Sequence, residues 1–164
     1  MFTRILLAVD RTDSNDTAVS FTAALAREFG GQVRVVHVNE LLVGGRGFAA
    51  ETEREAMDIV DTAVGQLRNA GVLADGVHYL ANCFTLDGRI AESAIEWGAD
   101  VIVFRSRRRR WLPRLAGGGL RERVAAVTGL PTLMAPPPLR LGRRSARHDL
   151  ERVAHEPLEE LTAP

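Results

Sequence analysis

The sequence predicts an α/β fold in which helices cover both faces of a parallel sheet. Short apolar, β-branched runs alternate along the chain with segments whose apolar residues recur at helical spacing. This alternation favours strand–helix–strand units with right-handed crossovers. The length of 164 residues suits one domain with a single core. In such sheets ligands bind beyond the carboxyl ends of the strands, so these ends are where a functional site is expected.

The first two strands and the helix between them have clear boundaries. Residues 3–10 (TRILLAVD) form an apolar run that ends in an acid, which is typical of a strand buried on both faces. Polar candidates for a helix N-cap follow, and apolar residues then recur at helical spacing from Ala18 to Phe29. Two glycines end this helix, and residues 32–38 (QVRVVHV) are predicted as the second strand.

The middle of the chain begins with a glycine-containing segment, residues 39–48, that is predicted as a loop. The clearest amphipathic helix follows between Ala56 and Leu67. Residues 76–81 (GVHYLA) are a weaker strand, and a third helix around residues 90–95 ends at Gly98.

The fourth strand is predicted at residues 100–104 (DVIVF), and an arginine-rich loop follows it. Three glycines at 117–119 then precede a fourth helix, and TLMA after Pro131 is the fifth strand. From residue 137 the character changes to a basic segment followed by an acidic one. We therefore expect a domain at residues 1–136 and a C-terminal tail at 137–164 that is mobile or docks on a partner.

Composition excludes several classes of protein. Hydrophobic residues make up 46% and charged residues 26%, which is typical of a globular protein and not of a disordered or fibrous one. No apolar run approaches the roughly 20 residues that span a bilayer. The single cysteine, Cys83, cannot form an intramolecular disulfide and is predicted to be a buried structural residue. A reducing, cytoplasmic location is expected.

Four local signatures, taken in order and spacing, resemble the universal stress protein family. They are ILLAVD (5–10), VVHV (35–38), GADVIV (98–103) and LRERV (120–124). The resemblance implies a three-layer, Rossmann-like fold of the adenine nucleotide alpha hydrolase type, with five parallel strands in the order 3-2-1-4-5. It also implies a homodimer formed through the last strand. In family members that bind ATP, the residues at Asp10 and Val38 hold the adenosine.

The family's phosphate-binding motif, Gly-x-x-Gly-x9-Gly-Ser/Thr, is altered in this sequence. When the motif is aligned on LRERV, its four positions fall on Arg105, Arg108, Gly118 and Gly119. Only Gly118 keeps the residue type of the motif. Glycine lets the backbone approach an anion closely, and the start of the next helix supplies N–H donors, so the two arginines indicate a loop of changed shape.

Three functions are consistent with this altered loop. In the first, the loop shields a retired nucleotide pocket, no cofactor is bound, and the domain acts through dimerisation and protein partners. In the second, arginine forks replace the backbone donors and still bind ATP or another phosphorylated ligand. In the third, the arginines and Trp111 dock on nucleic acid or an acidic membrane, although the formal net charge of zero does not favour it.

Catalysis is not predicted. His37 lies in a predicted buried strand, where a hydrogen-bonded core histidine is favoured over a general base. The sequence has no metal-ligand spacing, no Ser/His/Asp set and no intact phosphate loop. Among the three functions the sequence favours a non-catalytic, homodimeric stress-response regulator with impaired or lost ATP binding.

Overall fold

The computed structural model of the chain describes residues 1–11, 16–42, 48–105 and 119–137. Within these ranges the elements follow in the order β1 (Arg4–Val9), α1 (Asp16–Phe29), β2 (Gln32–Leu42), β3 (Phe48–Ala49), α2 (Glu53–Asn69), β4 (Ala74–Asn82), α3 (Leu86–Trp97), β5 (Val101–Phe104), α4 (Leu120–Thr128) and β6 (Thr132–Met134). None of the described helices is long and apolar enough to cross a membrane.

The described strands form one sheet that is mostly parallel. The five parallel strands lie in the order β4-β2-β1-β5-β6, which confirms the predicted α/β fold. The difference is β3, a two-residue strand that pairs antiparallel with the end of β2. Strand order reverses beside β1, because the chain moves outward through β2 to β4 and then returns to β5 on the other side of β1.

Two apolar clusters, one on each face of the sheet, make up the core. One lies under α1 and α2, where Leu67 of α2 packs with Val35 of β2, and both are fully buried. The other lies under α3 and α4, where Ala94 of α3 packs with Leu6 of β1. Strand residues alternate between the two clusters because successive side chains point to opposite faces of a sheet. The two covered faces give the predicted three layers.

The predicted loop at residues 39–48 is wrong at residues 39–42 and at Phe48, which lie in strands, whereas residues 43–47 lie outside the described ranges. Strand β2 continues to Leu42 because β4 pairs with it as far as Leu41 and Asn82, while β3 pairs with its last two residues from the opposite edge. The polar residues Asn39 and Glu40 indicate the end of a strand when the sequence is considered alone. Pairing with the neighbouring strands nevertheless keeps both residues in β2, because strand formation depends more on cross-strand partners than on the residue itself.

The predicted burial of Cys83 is also wrong. Cys83 is exposed in the turn that follows β4. The Asn82 side chain shapes this turn by accepting hydrogen bonds from the backbone N–H groups of Phe84 and Thr85, at 2.9 and 3.1 Å. A three-residue turn at the sheet edge leaves the thiol in solvent.

The amino edge of the sheet is held by polar contacts. The Asp100 carboxylate accepts hydrogen bonds from the Thr3 N–H, the Thr3 hydroxyl and the Arg4 N–H, each at 2.8 Å. Above this edge the guanidinium groups of Arg4 and Arg34 lie 5.0 and 5.2 Å from the centroid of the Trp97 ring. These cation–π contacts fix the end of α3 to the two central strands.

Candidate functional site

The carboxyl ends of β1 and β5 meet at the point where the strand order reverses. Ala8 of β1 is paired with Phe104 of β5, so the residues that follow the two strands leave the sheet side by side. This is the position where parallel α/β sheets bind ligands. Two of the predicted site residues, Asp10 and Arg105, lie here.

Asp10 and Arg105 form an ion pair across this switch point. Arg105 Nη1 donates to Asp10 Oδ1 at 2.8 Å, and the two side chains are 24% and 18% exposed for Asp10 and Arg105, respectively. Such partial burial strengthens a charge-assisted hydrogen bond relative to a fully solvated one. The structure therefore joins the acid at the end of the first strand to the residue at the first glycine position of the motif.

Val38 lies beside this pair on the neighbouring strand. Val9 is paired with His37, so Val38 is level with Asp10, although β2 continues beyond Val38 to Leu42. Its side chain is half-buried and packs against the apolar cluster beneath α3 and α4. Asp10, Val38 and Arg105 thus lie at the same level of the sheet, where β1 and β5 end.

The start of α4 is the other part of the site that the structure describes. Gly119 is the N-cap, with extended backbone (φ −68°, ψ 170°) and no side-chain capping bond. The Glu122 carboxylate folds back over it, so that a Cβ atom at Gly119 would lie 2.5 Å from Glu122 Oε2. Arg108 and Gly118, the other two predicted site residues, lie outside the described ranges.

Electrostatics favour the folded-back carboxylate. Arg121 donates to Glu122 Oε1 at 2.7 Å, and this bond is the largest cause of a Glu122 pKa below its ordinary value. Backbone N–H groups of Glu122 and Gly119 lower the pKa further. A negative side chain of the protein itself thus occupies the positive end of the helix, where a phosphate would otherwise be favoured.

A short segment before α2, which we call the strap (residues 48–52), folds over the end of β1. Because β3 pairs with β2 on the edge opposite β4, it lies beyond the last residue of β1. The Asn39 side chain binds the strap backbone in two directions, donating to Glu51 O at 2.7 Å and accepting from Glu51 N at 3.1 Å. Arg11 adds a hydrogen bond to Ala50 O at 3.0 Å.

A buried histidine–carboxylate pair joins the strap to β2. His37 Nε2 is 2.6 Å from Glu51 Oε2, and His37 Nδ1 is 3.1 Å from the Val9 carbonyl oxygen. His37 is 2% and Glu51 8% exposed. The predicted buried, hydrogen-bonded His37 is therefore confirmed, whereas Glu51 was not predicted.

Little in the sequence distinguishes Glu51. The available signal is the Thr52-x-x-Glu55 capping box, which marks the start of α2 and shows that the acid before it lies at a helix entrance. Within the described ranges no group of three or more histidine, cysteine or acidic residues could hold a metal ion.

Comparison with known proteins agrees with this architecture. The model of the universal stress protein family matches residues 1–136. A search of functionally curated proteins finds no significant match.

Solved structures of the same family are similar to this chain. A universal stress protein from Archaeoglobus fulgidus is 26% identical, with a TM-score of 0.61, over 83% of this chain and 95% of that one. An A. fulgidus family member in complex with dAMP is 24% identical, with a TM-score of 0.62, over 82% and 98% of the two chains. A family protein from Burkholderia pseudomallei is 20% identical, with a TM-score of 0.59, over 83% and 97%.

The family match covers residues 1–136, which is most of the chain. The chain belongs to the universal stress protein family.

Proposed function

We propose that this protein is a non-catalytic, cytoplasmic regulatory domain of the universal stress protein family whose ATP binding is impaired or lost, and that it acts through dimerisation and protein partners. The Asp10–Arg105 ion pair carries this proposal. It engages, from within the chain, the carboxylate that the resemblance assigns to adenosine binding.

The ion pair raises the cost of nucleotide binding. An adenosine that used Asp10 would have to displace Arg105 and leave a guanidinium of 18% exposure without this partner. Breaking a buried pair costs about 3–5 kcal/mol, and an exposed pair is worth about 0–1 kcal/mol, so a partly buried pair is expected to cost roughly 1–3 kcal/mol. This cost weakens binding by about 5- to 150-fold.

The start of α4 adds a second obstacle. The Glu122 carboxylate would repel a phosphate at this helix start, because both groups are negative. To bind there, the phosphate would have to displace the carboxylate from the backbone N–H groups that it engages. Gly119 also lacks the hydroxyl of the family motif. A nucleotide therefore fits the described residues only after both acidic side chains, Asp10 and Glu122, change partners.

Thermal unfolding with and without Mg-ATP tests the proposal. At 100 times its dissociation constant a ligand adds about 2.7 kcal/mol of stability, so millimolar ATP would raise the melting temperature of a binding-competent protein. We expect no rise for the wild type and a measurable rise for Arg105→Ala, in which Asp10 loses this cation. The matched control is Arg89→Ala, which removes the exposed ion pair to Glu92 on α3.

The same variants distinguish the main alternative, an ATP- or phosphorylated-ligand-binding switch that uses arginine forks. A similar structure that contains dAMP motivates this alternative, although its 24% identity indicates the fold alone. If arginines hold the phosphates, ATP stabilises the wild type and Arg105→Ala abolishes the effect. Whether Arg105→Ala increases or abolishes the ATP-dependent rise in melting temperature thus decides between the two functions. Stabilisation of the wild type by ATP rejects the function that we propose.

Dimerisation through the last strand is part of the proposal. Strand β6 pairs with β5 on one side and ends the described sheet on the other. Met134 of β6 and Val127 of α4 are 41% and 63% exposed. Light scattering at tens of micromolar should give a dimer mass, which Met134→Glu should reduce to a monomer mass.

The matched control is Met57→Glu, because Met57 is similarly exposed on α2, on the other side of the molecule's core. A monomer mass for the wild type would contradict the dimer. Docking of the arginine-rich loop on nucleic acid or an acidic membrane stays a prediction, because residues 106–118 lie outside the described ranges.

A further inference from the structure

A cluster of charged side chains lies at the amino edge of the sheet, at the opposite end of the strands from the candidate functional site. Arg34 is level with Leu6 of β1 and with Asp75 of β4, and Leu6 belongs to the apolar cluster beneath α3 and α4. Arg4 precedes Leu6 by two residues, so its side chain points to the same face. Trp97, which is 8% exposed, lies at this end of the layer, and the guanidinium groups of Arg4 and Arg34 both contact its ring.

The two arginines differ in their partners. Arg34 binds the Asp75 carboxylate through two nitrogens, with Arg34 Nε donating to Asp75 Oδ1 at 2.8 Å and Arg34 Nη2 donating to Asp75 Oδ2. Within the described ranges no hydrogen bond or ion pair engages the Arg4 guanidinium, and its Nε atom is buried without an acceptor. Buried polar groups are normally paired, so this unpaired guanidinium nitrogen requires an explanation.

Arg4 is the exception among the arginines of similar burial. Four of the described arginines are partly buried. Three of these four form an ion pair with a carboxylate, namely Arg34, Arg105 and Arg121. A cation that is partly withdrawn from water is costly to leave without a counter-charge. Arg4 is therefore the partly buried arginine whose surroundings most favour an added anion.

The charge around Arg4 is positive. A hydrogen bond from Arg34 is the largest cause of an Asp75 pKa below its ordinary value. The charges of Arg34, Arg68 and Arg4 act on Asp75 in the same direction, so three guanidinium groups surround one carboxylate. Asp100 has other partners, because its carboxylate accepts hydrogen bonds at the start of β1 and the charge that lowers its pKa is the terminal ammonium group.

The end of α3 explains only part of the position of Arg4. A helix carries a partial negative charge at its carboxyl end, which attracts a cation. Gly98, the left-handed C-cap of α3 (φ 71°), leaves room for the guanidinium, since a Cβ atom there would lie 3.3 Å from Arg4 Nη1. In the described part of the chain, however, no carbonyl oxygen at this helix end accepts a hydrogen bond from Arg4. Its Nη1 and Nη2 atoms are not buried as Nε is, so their N–H groups are open to a ligand.

We propose that Arg4, held against Trp97 beside Arg34, is the main ligand-binding residue of a site for one oxyanion group, a carboxylate or a phosphate. The Nη1 and Nη2 atoms form a fork that binds two oxygens of such a group. Arg34 and Arg68 add attraction at longer range. The Trp97 ring fixes the position of the guanidinium, so that little side-chain entropy is lost on binding. The site is independent of whether a nucleotide binds at Asp10.

Titration of the full chain with inorganic phosphate, and separately with acetate, tests the site at constant ionic strength. Neither probe contains adenosine, so the result does not depend on the proposed loss of ATP binding. Nitrogen-15 correlation spectra should show saturable shifts of the Arg4 and Trp97 side-chain N–H signals, with a millimolar dissociation constant. The probe that binds more tightly assigns the ligand group as a phosphate or a carboxylate.

Two variants should change the affinity in opposite directions. Arg4→Gln keeps a polar side chain but removes the charge and the fork, and should weaken binding about tenfold or more. Asp75→Asn removes the competing carboxylate and releases the fork of Arg34, and should strengthen binding several-fold. The matched control is Arg89→Gln, which changes the net charge as Arg4→Gln does but removes an exposed ion pair with Glu92 on α3. It should bind as the wild type does.

The wild type and Asp75→Asn provide the test if Arg4→Gln does not fold. The proposal is overturned if the shifts rise linearly with both probes at constant ionic strength and do not saturate. It is also overturned if Arg4→Gln binds with the affinity of the wild type, or if Asp75→Asn binds more weakly than the wild type.

Discussion

Replacement of Gly76 by alanine should destabilise the protein through overpacking between β4 and α2. Gly76 is the third residue of β4, opposite Val35, with its Cα facing the second helix. A Cβ atom placed there would overlap Val60 Cγ1 and lie 3.0 Å from Val64 Cγ2. Both valines are buried and β-branched, so neither can rotate out of the way without strain.

The magnitude combines two opposing effects. Forcing an extra methyl group into a packed core costs about 1–3 kcal/mol. Replacing a strand glycine by alanine returns about 0.5–1 kcal/mol through reduced backbone entropy of the unfolded chain. The net loss should be about 1–2 kcal/mol, which corresponds to a fall in melting temperature of roughly 2–8 °C for a chain of this size.

Urea denaturation and calorimetry measure this loss, and the chain offers a matched control. Gly65 lies inside α2 with nothing within 4 Å of the position of its Cβ, so Gly65→Ala should stabilise by about 0.5–1 kcal/mol. Val60→Ala in the Gly76→Ala background should cost less than Val60→Ala alone, because it removes the overlap. A neutral or stabilising Gly76→Ala would refute the packing of α2 on β4 described above.

Other predictions concern the helix start, the amino edge and the strap. Gly119→Ser should stabilise the folded protein by a few tenths of a kcal/mol, measured by urea denaturation. The backbone at residue 119 is extended, so a serine there can form a capping box with Glu122 once the Glu122 side chain moves aside. Hydrogen bonds from the Thr3 hydroxyl, and then from backbone N–H groups, lower the pKa of Asp100. The ionised Asp100 should therefore stabilise the folded protein above about pH 3.9, and this stabilisation should be lost as the pH falls through the lower pKa of the folded state. Acid unfolding of Asp100→Asn should lack this loss. Asn39→Ala should cost about 1–3 kcal/mol in urea denaturation and speed proteolysis at the strap, since it leaves Glu51 backbone groups unpaired; unchanged stability would contradict this role.

The fold could be predicted because its signals are local. Buried parallel strands such as residues 3–10 are continuous apolar runs, and the helix that contains Ala56 and Leu67 has a clear 3.6-residue period. Both patterns follow from which faces are buried. The extension of β2 to Leu42 could not be predicted, because pairing with β3 and β4 on its two edges decides it.

The candidate site was predicted in part, for a similar reason. Asp10 and Arg105 follow strands, so the rule about carboxyl ends places them in one region, but their direct ion pair depends on the register of β1 and β5. Glu51 is one acid among many in the sequence. Its burial against His37 is a long-range contact that no periodicity records.

The turn after β4 has a practical consequence for studying the strap. Cys83 is the single cysteine of the chain and is solvent-exposed, so a thiol-reactive fluorophore or spin label would attach at one site without any substitution. That site follows Asn82, which is paired with Leu41 on β2, while Leu41 is paired on its other edge with Ala49 of the strap. One strand therefore separates a native labelling position from the strap, within the range over which such probes report local changes of distance and mobility.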